Sequence, residues 1–294
     1  MARLAERNPD SAPGDWYVDR SCIDCGASRN VAPSLVVSRG DLSVFARQPR
    51  TRDEEILAER AALVCPTASI GRESRGRLPR GLFPEEIAPG VFRCGYNARS
   101  SFGAHSYFVT LPGGNLLIDS PRFVGELREA FEELGGIGDV LLTHRDDVAD
   151  AERFMRHFGA RVWIHDADRD LAPFATHLID GFTAVRIRDG VAAIPLPGHT
   201  RGSTAFLVHD TYLFTGDSLA WSHECRDLQA FRDACWHSWS EQATSLGHLG
   251  AHRFEWVLAG HGGSVRLPHD EMLRRLTALV DRMRSDDGAA THSA

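Results

Sequence analysis

Four short islands, far apart along the chain, constrain this sequence more than anything else in it. They are Thr143-His144-Arg145-Asp146-Asp147, Pro197-Gly198-His199-Thr200-Arg201-Gly202-Ser203, Phe214-Thr215-Gly216-Asp217-Ser218 and Gly260-His261-Gly262. Each offers a His or an Asp where an apolar run ends, the point at which a strand hands over to a loop. Glycines beside His199, Asp217 and His261 permit tight turns that leave the side chain projecting. Imidazole nitrogens and carboxylate oxygens on converging loops are the donor set of a hydrolytic metal centre, in which a divalent ion makes water a competent nucleophile at neutral pH. Taken singly, each island has a plainer reading: Asp146 or Asp147 caps a helix beginning at 148, and the others are loop residues.

The rest of the chain supplies a framework for such loops. Strands are predicted at 91–94, 105–110, 115–119, 140–143, 161–165, 184–188, 192–196, 204–209, 212–215 and 256–259, with a Pro112-Gly113-Gly114 turn closing one hairpin. Helices are predicted at 123–134, 148–158, 238–249 and 270–284. Strand meanders with interspersed helices imply an α+β fold of two sheets covered by helices. Residues 1–14 read as a disordered lead, 15–72 as a small module, 73–81 as a basic Gly- and Pro-rich linker, 82–285 as the main domain and 286–294 as a loose tail.

On these motifs the main domain resembles the metallo-β-lactamase-fold hydrolases, in particular their glyoxalase II-like branch. That family carries Thr-His-x-His-x-Asp-His, then Gly-His-Thr-x-Gly-Ser, then Gly-Asp, then Gly-His. The resemblance implies an αββα sandwich, with His144, Asp146, Asp150, His199, Asp217 and His261 as metal ligands and Asp217 bridging two ions. It further implies one or two zinc ions, with iron as an alternative, and a metal-bound hydroxide attacking an ester, thioester or lactone carbonyl. Asp146 and Asp217 are the catalytic candidates. The first island departs from the pattern. Asp146 stands at the second His, and Val148 and Ala149 stand at the Asp-His pair. Asp150 takes the Asp role only across a two-residue gap, which puts Ala151 at the final His. Asp147, His223 and Cys225 are the alternative donors. The His-x-Asp start also resembles the diiron sites of flavodiiron proteins.

The small module resembles a single-cluster bacterial ferredoxin. Cys22-Ile23-Asp24-Cys25-Gly26-Ala27-Ser28 and the remote Cys65-Pro66 map Cys22, Cys25 and Cys65 to iron–sulfur ligands, with Ser28 where the family has a third closely spaced Cys. A hydroxyl is a harder and weaker donor to iron than a thiolate. Three outcomes stay open: a three-iron cluster, a four-iron cluster completed by Ser28 or an outside ligand, or a module without a cluster. The whole chain, including Thr143–Asp147 and Phe231-Arg232-Asp233-Ala234-Cys235-Trp236, is similar to a group of proteins that fuse such a module to a metallo-β-lactamase-fold domain.

A net charge of −7 and the lack of any Lys/Arg run argue against a nucleic-acid binder. The N-terminus has no apolar core of a signal peptide, and no apolar run spans a bilayer, so a cytoplasmic location without membrane partners is expected. The six cysteines then read as metal ligands or buried thiols rather than disulfides. Three functions are weighed. The first is a metallo-hydrolase of a small-molecule substrate. The second is an iron oxidoreductase fed electrons by the module and a redox partner. The third is a binding protein that has lost its ligands. Trp221, Trp236 and Trp239 either wall a substrate pocket or pack in the core. Arg145 and Arg201 flank ligand positions and could grip an anion.

Overall fold

The computed structural model describes residues 2–74, 76 and 79–291. Residues 75, 77 and 78 of the expected linker lie outside the described residues, as do 292–294 of the expected tail. The chain divides into two compact units, Met1–Gly138 with Ala149–Ala160, and Asp139–Val148 with Arg161–Ala294. The division does not fall at the linker.

The first unit opens with the small module. Its elements are β1 (Trp16–Val18), α1 (Ala27–Val31), β2 (Val36–Arg39), β3 (Leu42–Phe45), α2 (Arg52–Val64) and β4 (Ile70–Arg72). β1 pairs antiparallel with β4, and β2 with β3. Thr51 starts α2 by accepting from Glu54 N at 3.2 Å, while Glu54 reaches back to Arg50 N at 2.7 Å. The buried face of α2, Ala58 and Ala61, packs in a core with Trp16, Leu35 and Phe45. The expected disordered lead is instead tied down: Asn8 N donates to Val18 O at 2.8 Å, and Ala12 N to Phe45 O at 2.7 Å. Carbonyls at the strand edges accept these bonds, a satisfaction that composition alone does not reveal.

The same unit continues with an antiparallel meander of β5 (Glu85–Ala88), β6 (Val91–Arg93), β7 (Tyr107–Val109) and β8 (Leu116–Ile118), then α3 (Gly125–Glu133). The predicted hairpin at 112–114 joins β7 to β8. Phe131 of α3 stacks on Phe108 at 4.5 Å. Residues Arg60 and Glu85, on either side of the expected linker, form a 2.7 Å ion pair. Such contacts explain why module and meander make one unit.

The second unit holds β9 (Asp139–Leu141), β10 (Arg161–His165) and β11 (His177–Ile179), paired in parallel. The crossover between β9 and β10 includes α4 (Ala151–Phe158), which belongs to the first unit. A six-stranded sheet follows, formed by β12 (Val185–Arg188), β13 (Val191–Pro195), β14 (Thr204–Val208), β15 (Tyr212–Gly216), β18 (Trp256–Ala259) and β19 (Val265–Arg266) in that spatial order. Between β15 and β18 lie a small hairpin, β16 (Ala220–Ser222) with β17 (Asp227–Gln229), and α5 (Trp239–His248). α6 (His269–Thr291) closes the described chain, extending past the predicted end at 284. No helix among the described residues is long and apolar enough to cross a membrane. Leu196, Leu213, Leu246, Val257, Met272 and Leu276 bind sheet and helices into one apolar core.

The pairing pattern of this sheet sets up the site. β13 runs antiparallel to β14, β14 antiparallel to β15, and β15 parallel to β18. Strands β13, β15 and β18 therefore point the same way, and the islands that follow their C-terminal ends emerge at one sheet edge. Thr204 N donates to Thr143 O at 2.8 Å, which fastens the end of β9 beside the start of β14.

Candidate metal centre

All four islands meet in the second unit. His144 and His199 are buried, their rings edge to face with centroids 4.7 Å apart. Nδ1 of His144 is 2.9 Å from Thr143 Oγ1, which orients the ring and leaves Nε2 facing inward. That Nε2 lies 3.7 Å from Asp217 Oδ2 and 3.9 Å from Asp146 Oδ2. His199 Nε2 lies 3.6 and 3.5 Å from the same two oxygens. These separations are too long for good hydrogen bonds, and both nitrogens are fully buried without a hydrogen-bond partner. Buried polar atoms are rarely left so. Four donor atoms around a common gap, too far apart to bond one another, are what an ion would require.

Two sets of three donors have ligand atoms within 4.8 Å of one another: His144, His199 and Asp217, and Asp147, Asp217 and His261. Asp217 belongs to both. Its two oxygens each stand 2.8 Å from His261 Nδ1. The residues therefore fit two divalent ions sharing one carboxylate, and the mixed imidazole–carboxylate chemistry suits zinc or iron.

Electrostatics prepare these groups for binding. Burial pushes the His144 imidazole down to about 4, with His199 acting in the same direction, so it is a neutral donor at physiological pH. Burial also opposes charge on His199, but the adjacent carboxylates of Asp146 and Asp217 outweigh it and raise that histidine. Burial works against the Asp217 carboxylate too, yet the three histidines around it hold it ionised. Proximity to His199 lowers Asp146.

One more carboxylate braces the site. Buried Asp168, in the turn after β10, accepts from Arg145 N at 3.1 Å, Thr200 Oγ1 at 2.6 Å and Gly202 N at 3.1 Å. It thereby joins the loop of His144 to the turn of His199. The approach is so close that a Cβ at Gly202 would sit 2.5 Å from Asp168 Cγ. Gly216 is needed for a related reason: its φ is +49°, and a Cβ there would lie 2.4 Å from Thr143 Oγ1.

Of the predicted ligand positions, His144, His199, Asp217 and His261 fall in the two donor sets, whereas Asp146 is in neither and faces His144 and His199 at 3.9 and 3.5 Å. Asp150 is in neither donor set; its carboxylate accepts from Phe123 N at 2.7 Å and lies 3.5 Å from Arg153. Asp147, named in the sequence only as a substitute donor, takes a place with Asp217 and His261, whereas His223 and Cys225 join neither set. The gap in the first island is closed by backbone shape: Arg145–Asp147 forms a single 3-10 turn that carries Asp147 inward. Asp168 gave no sequence signal, because nothing in Asp166-Ala167-Asp168-Arg169-Asp170 distinguishes it from a solvated turn. Trp221 and Trp239 pack against the core, whereas Trp236 is 68% exposed and lines a cavity with Arg145, Asp146 and Arg201.

In the first unit, Cys22, Cys25 and Cys65 are free thiols. Each sulfur receives backbone N–H groups: Cys22 from Asp24 and Ser43 at 3.5 Å, Cys65 from Ser69 at 3.2 Å, and Cys25 from Ala27. Such donors stabilise cluster-bound thiolates. Ser28 is buried in α1. These three thiols and the Ser28 hydroxyl are the groups of the module that could hold a cluster.

Comparison with known proteins agrees with both halves of this description. Residues 92–280 match the sequence model of the metallo-beta-lactamase superfamily, and residues 18–72 that of the 4Fe-4S single cluster domain of ferredoxin I. A hydroxyacylglutathione hydrolase of Xanthomonas campestris pv. campestris is 32% identical over 103 residues, 34% of this chain and 38% of the relative. One from Fuscovulum blasticum is 33% identical over 111 residues, 36% of this chain and 44% of the relative. The alignments thus span less than half of those relatives. Among solved structures, a metallo-beta-lactamase from Hirschia baltica superposes with TM-score 0.51 at 14% identity, over 67% of this chain and 96% of that one. The mono-zinc form of a metallo-beta-lactamase from Pseudomonas aeruginosa gives TM-score 0.51 at 16% identity, over 67% and 93%. At these identities the structural likeness concerns the fold.

Proposed function

The chain belongs to the metallo-beta-lactamase superfamily, and from that premise we propose that it is a metal-dependent hydrolase of ester, thioester or lactone bonds. The single observation that carries the reading is the pair of buried, partnerless nitrogens of His144 and His199 facing the Asp217 carboxylate. His144, His199, Asp146 and Asp217 would hold one ion, and Asp147, Asp217 and His261 a second. Bound zinc would supply Lewis acidity, lowering the pKa of water and polarising the scissile carbonyl. The chain's own contribution is geometric and electrostatic. Asp217 is held anionic at the shared position, and His144 is held neutral by burial. Asp146, 42% exposed at the rim and ionised, is placed to orient water or accept its proton. The hydroxyacylglutathione hydrolase relatives favour a thioester among the three bond types. As a test, His199→Ala and Asp217→Ala should lose both bound metal, by elemental analysis, and turnover of activated esters and thioesters. Turnover retained in both variants rules the proposal out.

A second reading concerns the module. The N–H donors on Cys22, Cys25 and Cys65 favour an iron–sulfur cluster on three thiolates, with Ser28 or no protein group at the fourth corner. Together with the His-x-Asp start of the metal centre, this motivates an iron oxidoreductase. Anaerobic purification discriminates the two readings: a brown, iron-containing protein supports the oxidoreductase, and a colourless zinc protein eliminates it.

A further inference from the structure

We propose that the cavity beside the metal centre selects substrates bearing a carboxylate set off from the scissile carbonyl by an apolar spacer, with Arg201 gripping the carboxylate and Trp236 covering the spacer. The proposal rests on the hydrolase reading and adds its substrate class. The cavity measures about 630 Å³, within the usual range for small-molecule sites, and Asp146 joins its wall to the metal centre. Two guanidinium groups line it. Arg145 is engaged with Asp170 at 2.8 Å. Arg201 is exposed and, among the described residues, has no hydrogen bond or ion pair. The buried carboxylate of Asp168 is taken up by the turn itself. Beside the Asp146 carboxylate the cavity therefore offers one guanidinium with no direct partner among the described residues, of the type best suited to bidentate recognition of a carboxylate.

Trp236 provides the apolar half. Its indole, 68% exposed, lines the cavity with its ring centroid 6.4 Å from that of His199. It is not on a free loop: Trp236 N donates to His199 O at 2.9 Å. Arg201 sits two residues beyond His199 in the turn braced by Asp168. Both recognition groups are thus anchored to the backbone that carries a metal ligand. The backbone positions of both groups relative to His199 are therefore fixed, which limits the spacer lengths they can serve.

The test uses zinc-loaded full-length protein and two esters of similar length, mono-4-nitrophenyl glutarate and neutral 4-nitrophenyl pentanoate. The wild type should prefer the anionic ester in kcat/KM. Arg201→Ala should lower that preference roughly 10- to 100-fold through KM, the scale of one charged hydrogen-bonded contact. Arg201→Lys should restore part of it, since lysine keeps the charge without the fork. Trp236→Ala should raise KM for the anionic ester. An unchanged preference in Arg201→Ala overturns the proposal. Binding of 3-phenylpropionate and of its amide, measured by calorimetry, gives a readout independent of turnover. Acid-selective binding that Arg201→Ala abolishes supports the subsite even if no ester is hydrolysed, in which case it is the hydrolase reading that fails. Acid-selective binding that survives Arg201→Ala places the carboxylate on the metals and overturns the subsite.

Discussion

Both carboxylate oxygens of Asp217 stand 2.8 Å from Nδ1 of His261, while Oδ2 also faces the Nε2 atoms of His144 and His199 at 3.7 and 3.6 Å. One side chain therefore belongs to both donor sets. It follows that Asp217→Asn should abolish tight metal binding altogether, whereas His261→Ala should lower zinc stoichiometry from two to one. Elemental analysis after gel filtration distinguishes the cases. Two zinc ions retained by Asp217→Asn would show that the carboxylate is not shared.

Asp168 holds the loops of two proposed ligands through hydrogen bonds to Arg145 N, Thr200 Oγ1 and Gly202 N. Asp168→Ala would strand the backbone N–H groups of Arg145 and Gly202, each worth about 1–3 kcal/mol when buried and unsatisfied, while the Thr200 hydroxyl keeps Ser203 Oγ at 2.9 Å. Urea unfolding should show a loss of about 3 kcal/mol after partial relaxation. Zinc affinity should fall roughly 10- to 100-fold, the range typical of groups that orient ligands. Unaltered zinc affinity would reduce Asp168 to a purely structural brace.

Gly216→Ala should be costly in a specific way. The added methyl meets Thr143 Oγ1 at 2.4 Å and His144 Nδ1 at 3.3 Å, on a backbone that disfavours any side chain. Overpacking of this kind costs about 1–3 kcal/mol. The variant should also bind zinc more weakly, because the displaced Thr143 orients the His144 ring. Wild-type zinc affinity in a folded Gly216→Ala protein contradicts this account.

Ser28 stands where the ferredoxin pattern that this module resembles has a cysteine. Ser28→Cys should raise iron and sulfide content after anaerobic reconstitution, together with absorbance near the charge-transfer band of iron–thiolate centres. Softer sulfur holds iron better than a hydroxyl does. Equal iron content in both proteins would mean that position 28 is not a corner of the cluster.

Metal removal exposes a pH effect. Burial pushes the Cys25 thiol up to about 11, with Cys65 and Cys22 adding in the same direction. In chelator-treated, reduced protein it should stay protonated through neutral pH, and its alkylation should accelerate only as pH climbs towards 11, since the thiolate is the nucleophile. Peptide mapping after iodoacetamide treatment at pH 8 should find exposed Cys225 labelled well before Cys25. Equal labelling rates would refute the burial argument.

The strands bearing the islands and their Gly-flanked His and Asp residues were legible because local chemistry specifies them. Alternating apolar runs make strands, and glycine makes tight turns. Asp150 stood ahead of Asp147 in the sequence, since spacing cannot say which of two neighbouring carboxylates a 3-10 turn carries inward. The lead at 1–14 looked loose because its anchoring bonds go to backbone carbonyls of Val18 and Phe45, which any sequence presents. Asp168 was invisible for a like reason: its partners are two amides and a hydroxyl that lie more than twenty residues away. By itself the sequence determined the donor types, the turns that present them and the cysteine pattern of the module. Only the tertiary structure decided which carboxylates share an ion's space, which arginine lacks a counter-charge and which tryptophan remains uncovered, because each depends on strand direction and pairing between segments distant along the chain.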